Sequence, residues 1–364
     1  MSKFASIEEV SSFAKQRILG TLKERYESAK FDRELWNDFS QLGVPGIAIP
    51  QEFGGYDGEP WEISVYAREI ARSGCDIGTV FLWLNHLALA SHSILDFGTI
   101  EQKKKYLPKL AKGEAIGVVV VSGFASEGDG IRVRRDNSGY LLEGSKAYVT
   151  GGTVADLFLV VAPLEEGGER NYLSFLVDKD TKGVKTRDMG LGFLKTVPHS
   201  EVIFESVRVK EESHLCSDSR VHPDVGRAIF ARERSCASAA LSGLFAQAAI
   251  EAKDRYRQKY EVLKFEPKEE TSWVHHLSAL SAYETISDHL TNAAFGDLKN
   301  WREKLPLLVY IGLSLAKWAF WLVDFVSSKE LEPTFPLDVI LNDMKIVLVG
   351  EELLRKEGAR IFLG

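Results

Sequence analysis

Apolar residues recur at three- and four-residue spacing over Glu9–Ala29 and Arg33–Leu42, which predicts two amphipathic helices. The same period continues through Trp61–Arg72, Thr79–Phe97 and Glu101–Ala111. Glycine and proline punctuate the gaps, at Gly43–Gly46 and at Phe53–Gly55. At Gly117 the pattern changes. Val118–Val121 is an unbroken valine run, which reads as a buried strand. Further strands are predicted over Gly139–Leu142 and Lys146–Thr150, joined through Glu143–Ser145. Leu157–Ala162, Leu173–Val177, Val184–Arg187 and Glu201–Val209 continue the series. Short strands with Gly, Asn and Asp between them suggest a small antiparallel barrel or sandwich. From about Pro223 the helical period returns and lasts to the end, with an alanine-rich stretch, Ala239–Ala252, suited to close helix packing.

The predicted fold class is therefore α+β, in three parts. Residues 1–115 form an N-terminal helical domain, 116–220 a middle β-barrel or sandwich, and 221–364 a C-terminal helical bundle. Leu305–Val326 is long enough to cross a bilayer. It carries Lys317 and Asp324, so a helix buried in a bundle or subunit interface is the expectation, with membrane-surface contact the alternative.

Composition changes this picture little. The chain has 364 residues, 45% hydrophobic and 27% charged, as in an ordinary globular protein. A net charge of −7 argues against nucleic acid as a partner. Cys75, Cys216 and Cys236 are far apart and odd in number, which suggests a reduced, cytoplasmic chain without a disulfide framework. The N-terminal residues lack the apolar core of a signal peptide. No Cys/His cluster has metal-ligand spacing, so no metal is expected.

The valine strand runs into Ser122–Gly130, SGFASEGDG, a loop of the kind that delivers backbone to a ligand. Four segments then carry a resemblance. They are Leu35–Gly55, Phe97–Gly117, Leu141–Asp156 and Gly190–Glu212. Together, and in this order, they resemble the acyl-CoA dehydrogenase family, which has the same helix–β–helix layout.

The resemblance implies FAD held against the β-domain. Thr150 takes the place of a threonine near flavin N5, and Tyr148 that of an aromatic residue packed on the flavin. Ser122 keeps a hydroxyl where the family has a threonine, and Asp129 keeps an acid of the substrate loop. Gly123, Phe124 and Gly128 depart from the family pattern in that loop. A second departure falls in Asp254–Phe265, where Tyr260 and Leu263 stand in place of the arginine and phenylalanine that grip the FAD pyrophosphate and adenine. Arg257, Lys259 or Lys264 could supply charge there.

Dehydrogenating an acyl thioester needs a base for the α-proton, a hydride acceptor, and donors for the thioester oxygen. The family's usual glutamate would lie beyond Gly364. A minority of members, resembling isovaleryl- and long-chain acyl-CoA dehydrogenases, carry the base before an arginine on the first C-terminal helix. Glu233-Arg234 occupies that position. Glu233 is thus the expected base, with its pKa raised by burial in an apolar pocket, and Arg234 an expected substrate contact. The alternative is an exposed Glu233 in a surface pair. The resemblance implies an acyl-CoA or acyl-carrier-protein substrate and a homo-oligomer, dimer or tetramer. The rival readings are a partner subunit of a hetero-oligomer, and a monooxygenase or non-redox relative on the same fold.

Overall fold

A computed structural model describes residues 4–122, 130–137, 139–166, 169–215, 222–261, 267–296 and 301–347. The fold is α+β. The chain divides into two compact units: 1–5, 29–59 and 81–233 in the first, and 6–28, 60–80 and 234–364 in the second.

The first unit is built on a seven-stranded sheet. Its strands are β1 (Gly117–Val121), β2 (Arg132–Asp136), β3 (Gly139–Thr150), β4 (Leu157–Glu166), β5 (Glu169–Asp178), β6 (Val184–Asp188) and β7 (His199–Val209). The order is β1-β4-β2-β3-β7-β6, with β5 also on β4. Antiparallel pairing holds for β2–β3, β3–β7, β6–β7 and β4–β5. The purely antiparallel expectation fails at β4, which runs parallel to β2 at Val133↔Leu164 and to β1 from Gly117↔Leu157 to Val121↔Val161. The cause is the turn after β3. Asp156 and Leu157 both donate backbone N–H groups to Ile116 O, so β4 starts beside the start of β1.

The two strands expected over 139–150 are one bulged strand. Gly144 sits at φ +114°, and a Cβ there would lie 2.2 Å from Gly130 O. Only glycine fits, so the strand continues through a shift in register between Leu142 and Gly144.

Helical segments cover one part of this unit. The helix at Arg33–Gln41 starts at Asp32, whose carboxylate accepts the Leu35 N–H at 2.9 Å. Its buried face presents Trp36 and Phe39. Phe39 meets Trp83 edge-on at 6.1 Å. Both indoles are satisfied: Trp36 donates to Gly113 O and Trp83 to Val44 O. The stretch Asn85–Ser91 is a single π-helical segment, buried throughout. Wide turns of this kind often mark sites where a side chain is re-aimed.

The second unit is helical: Ile7–Ser28 with a π-helical middle, Pro60–Gly74, then Pro267–Phe295, Trp301–Ser328 and Leu337–Asp343, with most of the long helix His222–Tyr260. Its buried polar centre is Asp76, fully buried, which accepts from Arg25 Nη1 at 2.6 Å and from the Thr79 N–H and hydroxyl. Gly243 lets two helices touch: a Cβ there would lie 2.1 Å from Arg68 O. Val309–Ser328 is long and apolar enough to cross a membrane by length and composition. Here it packs Leu315, Trp318 and Leu322 into the unit, and Trp318 stacks on Phe245 at 5.0 Å. Tyr310, Phe320 and Val323 remain exposed on it.

Candidate active site

The end of β3 gathers several of the residues singled out from the sequence. A second register shift falls between Lys146 and Val149. It puts Tyr148 at φ +61°, a left-handed conformation that is costly for an aromatic residue. The Tyr148 N–H, turned out of the ladder, donates to Met189 Sδ at 3.3 Å. The ring is left 64% exposed. An aromatic ring held open by a strained backbone is what a binding surface needs and what a core does not.

Thr150, half-buried, lies two residues on. Its backbone is anchored on both sides. Asn85 Nδ2 donates to Thr150 O at 3.5 Å, and the amide's Oδ1 accepts the Val119 N–H at 2.8 Å. Gly151 follows at φ +76°, and its N–H donates to Pro198 O. The Thr150 hydroxyl shares a 3.2 Å hydrogen bond with His199 Nε2. Asn85 and His199 are the partners that the sequence reading missed. The signal for Asn85 was present: Asn85-His86 interrupts an otherwise apolar helical run.

Ser122 is held by two backbone hydrogen bonds. It is 1% exposed, its N–H donates to Val161 O, and its Oγ accepts the Ile131 N–H at 2.7 Å. The hydroxyl that the resemblance places near a flavin thus has one lone pair engaged by Ile131. Asp129 lies outside the described residues.

Glu233 is on the helix His222–Tyr260, as expected, and is exposed. Arg234 is half-buried. The deeply buried arginine of this stretch is Arg232, 1% exposed and paired with Asp96.

Further along the same helix, Lys259 is already engaged. Its ammonium donates to the carbonyls of Lys329 and Glu330, where the helix Trp301–Ser328 has ended, and the Tyr260 hydroxyl donates to Lys329 O. Arg257 is exposed. Leu263 and Lys264 lie outside the described residues.

Two family models match the sequence. The acyl-CoA dehydrogenase N-terminal domain matches residues 5–114, and the acyl-CoA dehydrogenase middle domain residues 125–207. The chain belongs to the acyl-CoA dehydrogenase family. Among curated relatives, an acyl-CoA dehydrogenase of Bacillus subtilis is 29% identical over 57% of this chain and 55% of its own length. An L-prolyl-[peptidyl-carrier protein] dehydrogenase of Pseudomonas fluorescens is 27% identical over 60% of this chain and 59% of its own. The chain thus spans little more than half the length of these relatives. Among solved structures, a glutaryl-CoA dehydrogenase from Mycobacterium smegmatis in complex with FADH2 has the same fold, with TM-score 0.79 and 20% identity over 98% of this chain and 95% of that one. Within this acyl-CoA dehydrogenase family, the open Tyr148 and the anchored Thr150 fall inside the matched middle domain.

Proposed function

We propose that this chain is an FAD-dependent dehydrogenase of acyl thioesters carried on CoA or on a carrier protein. The observation that carries the reading is the exposed, backbone-strained Tyr148 beside Thr150 within the matched middle domain. The donor set suits a flat, uncharged heteroaromatic ring. An open aromatic face stands next to a hydroxyl, and neither Gly190 nor Gly192 has an atom within 4 Å of where a Cβ would be. Bound FAD would supply the hydride acceptor. Tyr148 would stack on it, and Thr150 would meet its N5 edge.

Glu233 is the candidate base for the α-proton. An exposed carboxylate is one that a substrate can reach, and a bound acyl chain could itself exclude water around it. Arg234 is the candidate substrate contact. A carrier-bound substrate fits the relative that acts on a prolyl carrier protein, and a CoA thioester fits the others. The exposed Tyr310, Phe320 and Val323 favour a homodimer or larger assembly, since apolar side chains of this size on one helix suit a protein contact.

One observation favours the partner-subunit reading. Lys259 spends two of its three N–H donors on the carbonyls of 329 and 330.

The test is the visible spectrum of purified protein after incubation with FAD, followed by bleaching with an acyl-CoA or acyl-carrier series. Flavin bands that bleach with thioester support the reading. Glu233→Gln should then lower the bleaching rate by a hundredfold or more, about 3 kcal/mol of barrier, with substrate binding retained. A protein that takes up no FAD would overturn the dehydrogenase reading.

A further inference from the structure

Thr150 and His199 face each other across β3 and β7 as a register pair. The hydrogen bond between Thr150 Oγ1 and His199 Nε2 is 3.2 Å long, and either atom could donate in principle. The other ring nitrogen decides. His199 Nδ1 lies 3.2 Å from Val197 O. A carbonyl oxygen only accepts, so Nδ1 carries a hydrogen. His199 is 6% exposed. Burial pushes its imidazole below the ordinary range, with the Val197 carbonyl and the Asp188 carboxylate pulling the other way. A neutral ring with its hydrogen on Nδ1 has a bare Nε2. The Thr150 hydroxyl must therefore be the donor in this pair.

A hydroxyl has one hydrogen and two lone pairs. With the hydrogen aimed at His199, Thr150 offers lone pairs to its open side. It cannot swing away by moving its backbone, because Asn85 and Pro198 hold the carbonyl of Thr150 and the N–H of Gly151.

We infer that His199 is a positioning residue that makes Thr150 a hydrogen-bond acceptor toward the flavin edge. The inference rests on the dehydrogenase reading, in which Thr150 meets N5. Oxidised N5 only accepts, and N5 that has gained a hydride donates. An acceptor at that place stabilises the reduced form and not the oxidised one, so the pair raises the flavin's reduction potential. A threonine without such a partner would rotate and serve both forms.

The test has two parts. In flavin-free protein, nitrogen-15 NMR of His199 at neutral pH should show hydrogen on Nδ1 and none on Nε2. Hydrogen on Nε2 alone would overturn the pairing, whatever the protein binds. In FAD-loaded protein, His199→Leu should lower the reduced-to-oxidised equilibrium about tenfold, a fall of about 30 mV for two electrons. The same substitution in a Thr150→Val background should leave the potential unmoved. His199→Gln, whose amide oxygen can accept the Thr150 hydrogen, should recover part of the loss. An equal shift in both backgrounds, or none in either, would overturn the inference. Protein that takes up no FAD would overturn the dehydrogenase reading and the redox role with it, while the tautomer still decides the Thr150–His199 pair.

Discussion

His86 Nδ1 accepts the Gly117 backbone N–H at 3.1 Å, so Nε2 carries the ring hydrogen and donates it to Leu110 O at 2.9 Å. Both nitrogens are used, and only one neutral tautomer satisfies both. A proton added to Nδ1 would face an N–H.

This makes stability pH-dependent. Burial pushes the His86 pKa from 6.5 down to about 4, against the raising effect of the Leu110 carbonyl. Above pH 6.5 the imidazole is neutral in folded and unfolded chains alike, and its contribution is intact. As pH falls from 6.5 towards 4, the unfolded chain takes up a proton that the folded chain refuses. The folded state should lose roughly 3 kcal/mol through this group. Urea unfolding at pH 7 and pH 4.5 should show that loss in the native sequence and a shallower one in His86→Gln. Equal slopes in the two proteins would contradict it.

Asp76 should be among the most sensitive positions of the helical unit. Removing its carboxylate with Asp76→Ala strands the Arg25 guanidinium, itself buried, and leaves the Thr79 N–H without its acceptor. Breaking a buried pair on one side costs about 3–5 kcal/mol. Chemical denaturation should show a drop of that size. The double substitution Arg25→Met with Asp76→Leu should lose less, because neither charge is then left alone.

Gly144 and Gly190 offer a matched comparison. Both have positive φ, +114° and +61°. A Cβ at Gly190 meets open space, so Gly190→Ala should cost about 1 kcal/mol, the penalty of the backbone conformation alone. Gly144→Ala adds a collision with Gly130 O and should cost about 3 kcal/mol or more. Thermal melts of the two variants should separate clearly, and similar midpoints would argue against the close approach of Gly130 to β3 at this bulge.

Asn85→Ala should leave the Val119 N–H without its partner and release the Thr150 carbonyl. An unsatisfied buried amide costs about 1–3 kcal/mol. Hydrogen exchange should quicken at Val119 before it changes in β7, which does not depend on Asn85. Unchanged protection at Val119 would rule out the bond.

The long-period helices were legible because each shows its buried stripe directly, as Val10, Ala14, Ile18 and Leu22 do. β2 was not: in RVRRD only Val133 is buried, and four charged residues hide a strand whose pairing is supplied by β3. The single strand 139–150 was divided at Glu143–Ser145 because a glycine bulge looks locally like a turn. Tyr148 and Thr150 were found through their segment. Their environment was hidden, because Thr150 and His199 are 49 positions apart and Asn85 and Thr150 are 65. Burial of Glu233 was expected from chemistry and not from pattern, since Arg232 and Ser235 beside it are buried while it is exposed.

The valine strand has one further consequence. Among the described residues β1 ends the sheet, paired only with β4, and a run of four valines on an unguarded edge is a template for adding strands from other molecules. Alternation turns the amides of Gly117, Val119 and Val121 away from β4. Those of Gly117 and Val119 are taken, by His86 and Asn85, neighbours on the helix that packs there. Two side chains thus stand in for part of a missing strand and cover the first half of the sheet's sticky margin. Substituting either one would expose the chain to self-association during synthesis and refolding, at protein concentrations where the native sequence stays dispersed.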